Sequence, residues 1–126
     1  MPRRDGWYRK DKTMDKVNIL GTEYTIIQDN SLLNTDMDGC CKRYDREIRI
    51  RNVEHMLEDT DQIEAKETRY NEVLRHEIIH AFIFESGLDS CTNQFSGGWA
   101  TNEEMIDWFA IQASKIFKAF EDVGCL

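Results

Sequence analysis

Two histidines four positions apart, with a glutamate beside the first, dominate the chemistry this chain can do: His76-Glu77-Ile78-Ile79-His80. On a helix, residues i and i+4 lie on one face, one turn apart. His76 and His80 can then offer two imidazole nitrogens to one ion, and Glu77 stands next to them as a general base for a metal-bound water. The chain has 3 histidines, so two of them fall in this frame.

Catalytic zinc takes three protein ligands and leaves a position open. The third must come from elsewhere in the fold, and the run Thr101-Asn102-Glu103-Glu104-Met105-Ile106-Asp107 is the favoured source. Thr101 and Glu104 have capping-box spacing, which gives Glu104 a backbone duty and leaves Glu103 free to ligate. Asp107, one turn further along, can accept a hydrogen bond from a ligating histidine. Ala110 on the same stripe is small enough to let two helices approach closely. His55 is the other option for a third ligand, and solvated surface carboxylates are the bland reading of Glu103 and Asp107. The ligand types favour Zn2+, with manganese, nickel and cobalt compatible with the same spacing.

The elements that must position these residues follow from periodicity. Val17–Leu20 and Glu23–Ile27 read as strands around Gly21-Thr22, and Cys40–Tyr44 with Glu47–Arg51 as a second hairpin. Together they predict a small, twisted antiparallel sheet. Helical character begins near Asp61, where Asp61 and Glu64 resemble a capping box, and Gly87 is a natural C-cap. From Ile78 to Phe84 the helix is apolar on nearly every side, which predicts central burial. Leu88–Ala100 reads as a loop long enough to fold over a site. A last helix starts at Thr101 and carries Ile106, Phe109, Ala110, Ala113, Ile116, Phe117 and Phe120 as a continuous core stripe. The fold class expected is α+β.

At 126 residues the chain holds one domain, expected over residues 17–126, preceded by a basic, flexible arm over residues 1–16. Net charge is −8. The arm carries six basic and three acidic side chains, so the remainder is strongly acidic and a poor partner for nucleic acid. No apolar run approaches a membrane span, and no apolar segment follows the basic start, so neither membrane insertion nor secretion is expected. Cys40, Cys41, Cys91 and Cys125 have no Cys-x-x-Cys spacing, and reduced thiols in a cytoplasmic protein are the simplest reading.

The run His76-Glu77-Ile78-Ile79-His80 followed by Asn102-Glu103-x-x-x-Asp107 resembles the gluzincin signature, in which that glutamate is the third zinc ligand. Glu103-x-x-x-Asp107-Trp108-Phe109-Ala110 is also similar to the glutamate helix of the ImmA/IrrE-like metallopeptidases. Within that group the chain most resembles short metallopeptidase-like proteins of phages and prophages of Gram-positive bacteria, from about Val17 onward. Ile79 departs from the glycine often found there in the repressor-cleaving relatives. The resemblance implies a minimal zincin-like domain in the cytoplasm of a bacterial or phage-infected cell. It also implies a polypeptide substrate paired to an edge strand within Cys40–Arg51. Larger gluzincins add a histidine or tyrosine for the oxyanion; Tyr44, Tyr70 and His55 are the candidates here. Three rivals to hydrolysis stand beside it: a zinc-stabilised binding module with little turnover, a helical domain in which the motif is coincidental, and a metalloprotease acting on DNA-bound proteins, which the acidic body disfavours.

Overall fold

The computed structural model describes residues 11–91 and 98–126. Its first element is a hairpin of β1 (Lys12–Ile19) and β2 (Thr22–Gln28), paired antiparallel from Lys12↔Gln28 to Ile19↔Thr22. Leu20 and Gly21 turn it with φ of 52° and 93°, the left-handed pair that matches the twist of the flanking strands. The Asn18 side chain accepts from the Gly21 N–H at 2.9 Å. Residues 12–16 are thus strand, not free arm, and the rest of the expected arm, residues 1–10, lies outside the described residues. That stretch is exposed on both faces, so its order comes from the backbone ladder and leaves no hydrophobic mark in the sequence.

The sheet is mixed, not antiparallel throughout as expected. β3 (Gly39–Lys42) and β4 (Glu47–Ile50) do form an antiparallel hairpin, but β4 joins β2 in parallel, with Ile26↔Ile48 and Gln28↔Ile50. The strand order is therefore β1-β2-β4-β3. Burial explains the choice. Ile48 and Ile50 are 0% exposed and need strands on both sides, whereas the Gly-Cys-Cys-Lys of β3 suits an edge. A polar latch fixes the crossover between β2 and β3. Arg51 donates to the carbonyls of Leu32, Thr35 and Met37, and Arg49 bridges Asp11, Asp29 and Glu47.

The helix α1 (Ile63–Ser86) lies across this sheet. It begins two residues after the expected point: Asp61 accepts from the Glu58 N–H at 2.8 Å, and Gln62 is the N-cap without a side-chain bond. Gly87 closes the helix at φ 80°, its N–H reaching the Ile83 and Phe84 carbonyls. Val73 and Ala81, with Tyr70, Leu74 and Ile78, pack against Ile19, Tyr24, Ile26, Ile48, Ile50 and Met56. Tyr24 and Thr22 donate their hydroxyls to the two oxygens of Glu85, both at 2.8 Å, which clamps the C-terminal turn of α1 to β2.

Leu88–Ala100 is not all loop: a one-turn helix α2 (Leu88–Cys91) opens it and a 3-10 turn (Trp99–Thr101) closes it, with residues 92–97 outside the described residues. α3 (Glu103–Asp122) starts two residues later than expected. Its N-cap is Asn102, which accepts from the Met105 N–H at 2.8 Å, so the expected Thr101–Glu104 capping box does not form. Asn competes well for this position, and Thr101 is held in the preceding turn by its bond to the Gly98 carbonyl.

Ile106, Ala110 and Ala113 bury α3 against α1, and Arg75 of α1 donates to the Ala110 carbonyl. The apolar stripe is only partly core, however: Phe109, Phe117 and Phe120 are 38–45% exposed, and Phe82 of α1 is 41% exposed. The sheet covers one side of α1 and α3 a second, and among the described residues no further element covers the third. No helix among the described residues is long and apolar enough to cross a membrane.

Candidate metal centre

One uninterrupted turn of helix through residues 76–80 places both imidazoles on the face of α1 that looks toward the first turn of α3. The Nε2 atoms of His76 and His80 are 3.1 Å apart, and Glu103 Oε1 lies 2.7 Å from His80 Nε2 and 3.5 Å from His76 Nε2. A tetrahedral zinc with bonds of about 2.05 Å spaces its ligand atoms roughly 3.3 Å apart. The triangle observed brackets that spacing, so the donor set can hold a metal ion. Among the described residues it is the group of His, Cys, Asp and Glu side chains close enough to do so.

Asp107, one turn along α3 from Glu103, approaches His76 Nδ1 at 2.7 Å. An ionised carboxylate only accepts, so the His76 proton sits on Nδ1 and the Nε2 lone pair faces the triangle. His80 is held at its ring face by Phe84, whose centroid lies 6.0 Å away in a stacked arrangement. Burial lowers the His80 pKa, with Glu103 pulling the other way, which keeps the ring neutral and able to ligate. The histidine side chains are mostly covered, at 16% and 18% exposure, while Glu103 is 62% exposed, so the triangle opens to solvent on the α3 side.

Glu77 is 7% exposed and lines the same cleft. Burial is the main cause of its pKa being pushed up to about 7; His76 opposes the rise and Glu103 and Asp107 add to it. A carboxyl poised there can take and return a proton near neutrality. β3 stands close against it: a Cβ built on Gly39 would lie 2.9 Å from Val73 Cγ1 and 3.3 Å from Glu77 Cγ. Glycine at 39 is therefore what lets the sheet edge come up to the Glu77 side chain.

The cleft is about 500 Å³, with Gly39, Cys40 and Cys41 of β3 on one wall and the faces of α1 and α3 on the other. Cys40 and Cys41 are free; burial, then the charge of Glu77, raises both thiols, Cys41 to about 12. Neither belongs to the donor triangle.

His76, Glu77, His80, Glu103 and Asp107 thus come together. Glu104 instead faces outward beside Trp99, Asn102 and Trp108. His55 is exposed in the 3-10 turn Val53–His55 and is not in the triangle, so it is not the third ligand. Tyr44 is 89% exposed and Tyr70 packs on the sheet core; neither they nor His55 line the cleft. Arg69, Glu72 and Phe84 line it without having been singled out from sequence. Helical spacing alone would have found Glu72 and Phe84, four residues before His76 and four after His80. No family model matches the chain, no curated protein matches it, and no solved structure matches it.

Proposed function

We propose that this chain is a zinc-dependent metallopeptidase built on a minimal zincin-like, gluzincin-type fold, akin to the ImmA/IrrE-like metallopeptidases and to small phage and prophage proteins, and acting in the cytoplasm. One observation carries the reading: two Nε2 atoms and one carboxylate oxygen converge at 2.7–3.5 Å with a buried glutamate beside them. His76, His80 and Glu103 would hold the ion. Zinc bound there would supply a Lewis acid for a peptide carbonyl and for water.

The chain's own groups do the rest. The edge of β3 pairs with an extended substrate and lays the cleaved bond across the cleft. Asp107 keeps the His76 proton on Nδ1 and fixes the ring's orientation. Glu77 removes a proton from the attacking water and delivers it to the leaving nitrogen, so the carboxylate is regenerated each cycle. Its burial and the apolar side chains of Val73 and Ala110 around it keep that exchange away from bulk water.

Glu77→Gln tests this directly. Zinc content should stay near one per chain while peptide hydrolysis falls by about 10²–10⁴-fold, the usual share of a general base. Hydrolysis that survives the change would remove Glu77 from the reaction. A second reading, a zinc-stabilised binding module with little turnover, is favoured by one observation: among the described residues no tyrosine or further histidine lines the cleft to stabilise an oxyanion. A biological effect that Glu77→Gln leaves intact while zinc stays bound would decide for that module.

A further inference from the structure

Among the described residues, the wall of the cleft carries Asp38, Glu72, Glu77, Glu103 and Asp107 against a single guanidinium, Arg69. Three of these carboxylates already have partners. Asp38 takes Arg69 at 2.9 and 3.1 Å, Glu103 lies on the histidines, and Asp107 holds His76. Glu77 is 7% exposed and receives no hydrogen bond from any described residue. Glu72 has no hydrogen bond among the described residues; it has one long ion pair, to Arg69 Nη1 at 3.9 Å, on a guanidinium whose Nε and Nη2 are bonded to Asp38. Leaving aside Glu77, which exchanges its proton, four carboxylates face Arg69 and a bound divalent ion, so the loaded cleft still keeps a negative charge in excess.

Position gives that excess a use. Glu72 lies one turn before His76 on the same face of α1, about 6 Å along the axis from it. An extended strand advances about 3.3 Å per residue, so a substrate lying along this face of α1 would bring a residue one or two places from the cleaved bond over Glu72. The Glu72 side chain is only 26% exposed, and a carboxylate in a partly covered cleft attracts a counter-charge more strongly than one in open water.

We infer that the cleft takes polypeptide segments carrying a lysine or arginine within two residues of the cleaved bond, and that Glu72 selects them. This rests on the metallopeptidase reading above. The ammonium or guanidinium approaches Glu72 from the solvent side, and the acidic body of the chain, with net charge −8, steers such segments and repels acidic ones.

The test is cleavage of a library of peptides, generated from a cell extract by a glutamate-specific protease, by the zinc-loaded protein, with the cut sites sequenced by mass spectrometry. Cut sites should be enriched in Lys and Arg within two residues. Glu72→Gln should reduce that preference roughly tenfold, as expected for loss of one charge-assisted contact. Glu72→Lys should turn it toward Asp and Glu, and Glu67→Gln, the same charge change on the exposed face, should leave it as it was. Charge-blind cleavage, or a Lys and Arg preference that survives Glu72→Gln, overturns the inference and leaves the peptidase reading standing. If wild type cuts nothing, the peptidase reading fails instead, and binding decides the charge preference. Fluorescence anisotropy would then compare a lysine-containing alanine peptide with its glutamine counterpart on the zinc-loaded protein: tighter lysine binding that needs Glu72 upholds it, and equal binding overturns it.

Discussion

Removing one acidic side chain should uncouple this protein's thermal stability from zinc, and removing its immediate neighbour should not. Glu103 contributes Oε1 to the donor triangle at 2.7 Å from His80 Nε2, whereas Glu104 points outward among Trp99, Asn102 and Trp108. An ion that binds only the folded chain stabilises it by RT ln(1 + [L]/Kd), about 2.7 kcal/mol when free zinc is 100 times Kd. Unfolding entropy near 2.1 cal/mol/K per residue gives a chain of this length roughly 0.26 kcal/mol per degree. Zinc should therefore raise the wild-type Tm by about 10 °C. Losing one of three ligands should weaken affinity by at least the hundredfold that marks the upper end for outer hydrogen-bond partners. At the same zinc concentration the stabilisation then drops to about 0.4 kcal/mol or less, a shift under about 2 °C. Glu104→Ala should keep the full shift. Differential scanning fluorimetry of each variant, apo against zinc-loaded, reads the increment and cancels any change in apo stability, including loss of the Glu103–His80 contact. A full zinc shift in Glu103→Ala, or an equal loss in Glu104→Ala, would refute the triangle as drawn.

Asp107→Asn should fall between these cases, losing ten- to a hundredfold in zinc affinity by isothermal titration while a bound ion remains detectable, because only the orientation of His76 is affected. Gly39→Ala places a methyl group 2.9 Å from Val73 and 3.3 Å from Glu77; stability should drop by about 1–3 kcal/mol in urea unfolding, and peptide hydrolysis should fall further than zinc content. An unchanged urea midpoint would show that β3 has room the geometry denies. Acid stability should hinge on Asp29, which is 5% exposed: burial alone would raise its pKa, but the bonds from Ser31 and Arg49 win and lower it from 3.8. Its contribution is complete above the unfolded value and lost as pH falls through the lower folded one, so Asp29→Asn should flatten the loss of stability below about pH 4. Wild type and variant sharing one acid-unfolding curve would remove Asp29 from that role.

The parts legible in the sequence were those written in side-chain chemistry at helical spacing. His76, Glu77 and His80 need only i, i+1 and i+4 on one helix, and Glu103 with Asp107 needs only one turn of another. The capping box expected of Thr101 and Glu104 does not form; Asn102 caps the helix instead, and Glu103 still faces the histidines. Long-range backbone pairing was not legible. Nothing local distinguishes β4 joining β2 in parallel from two hairpins laid side by side, since the deciding terms are the double-sided burial of Ile48 and Ile50 and the Arg49 and Arg51 latches. Residues 12–16 carry no strand signal in their side chains because an exposed edge strand satisfies its backbone without burying them. The aromatic stripe of α3 misled in the other direction: periodicity shows that a face is apolar, not that anything covers it.

The donor triangle draws all its atoms from two helices, with none from the sheet. His76 and Glu103 are 27 positions apart, 103 minus 76, so an ion joining them is a removable cross-link that closes that stretch of chain. Treated as a covalent clasp of that loop length, it would take about 3.5 kcal/mol of conformational freedom from the unfolded chain. α3 is otherwise fastened chiefly by Ile106, Ala110 and Ala113, near its first half, while Phe117 and Phe120 stay uncovered. The ion that serves the chemistry would then also be the rivet of the two-helix unit, and chelation would loosen the helix as well as silence the site.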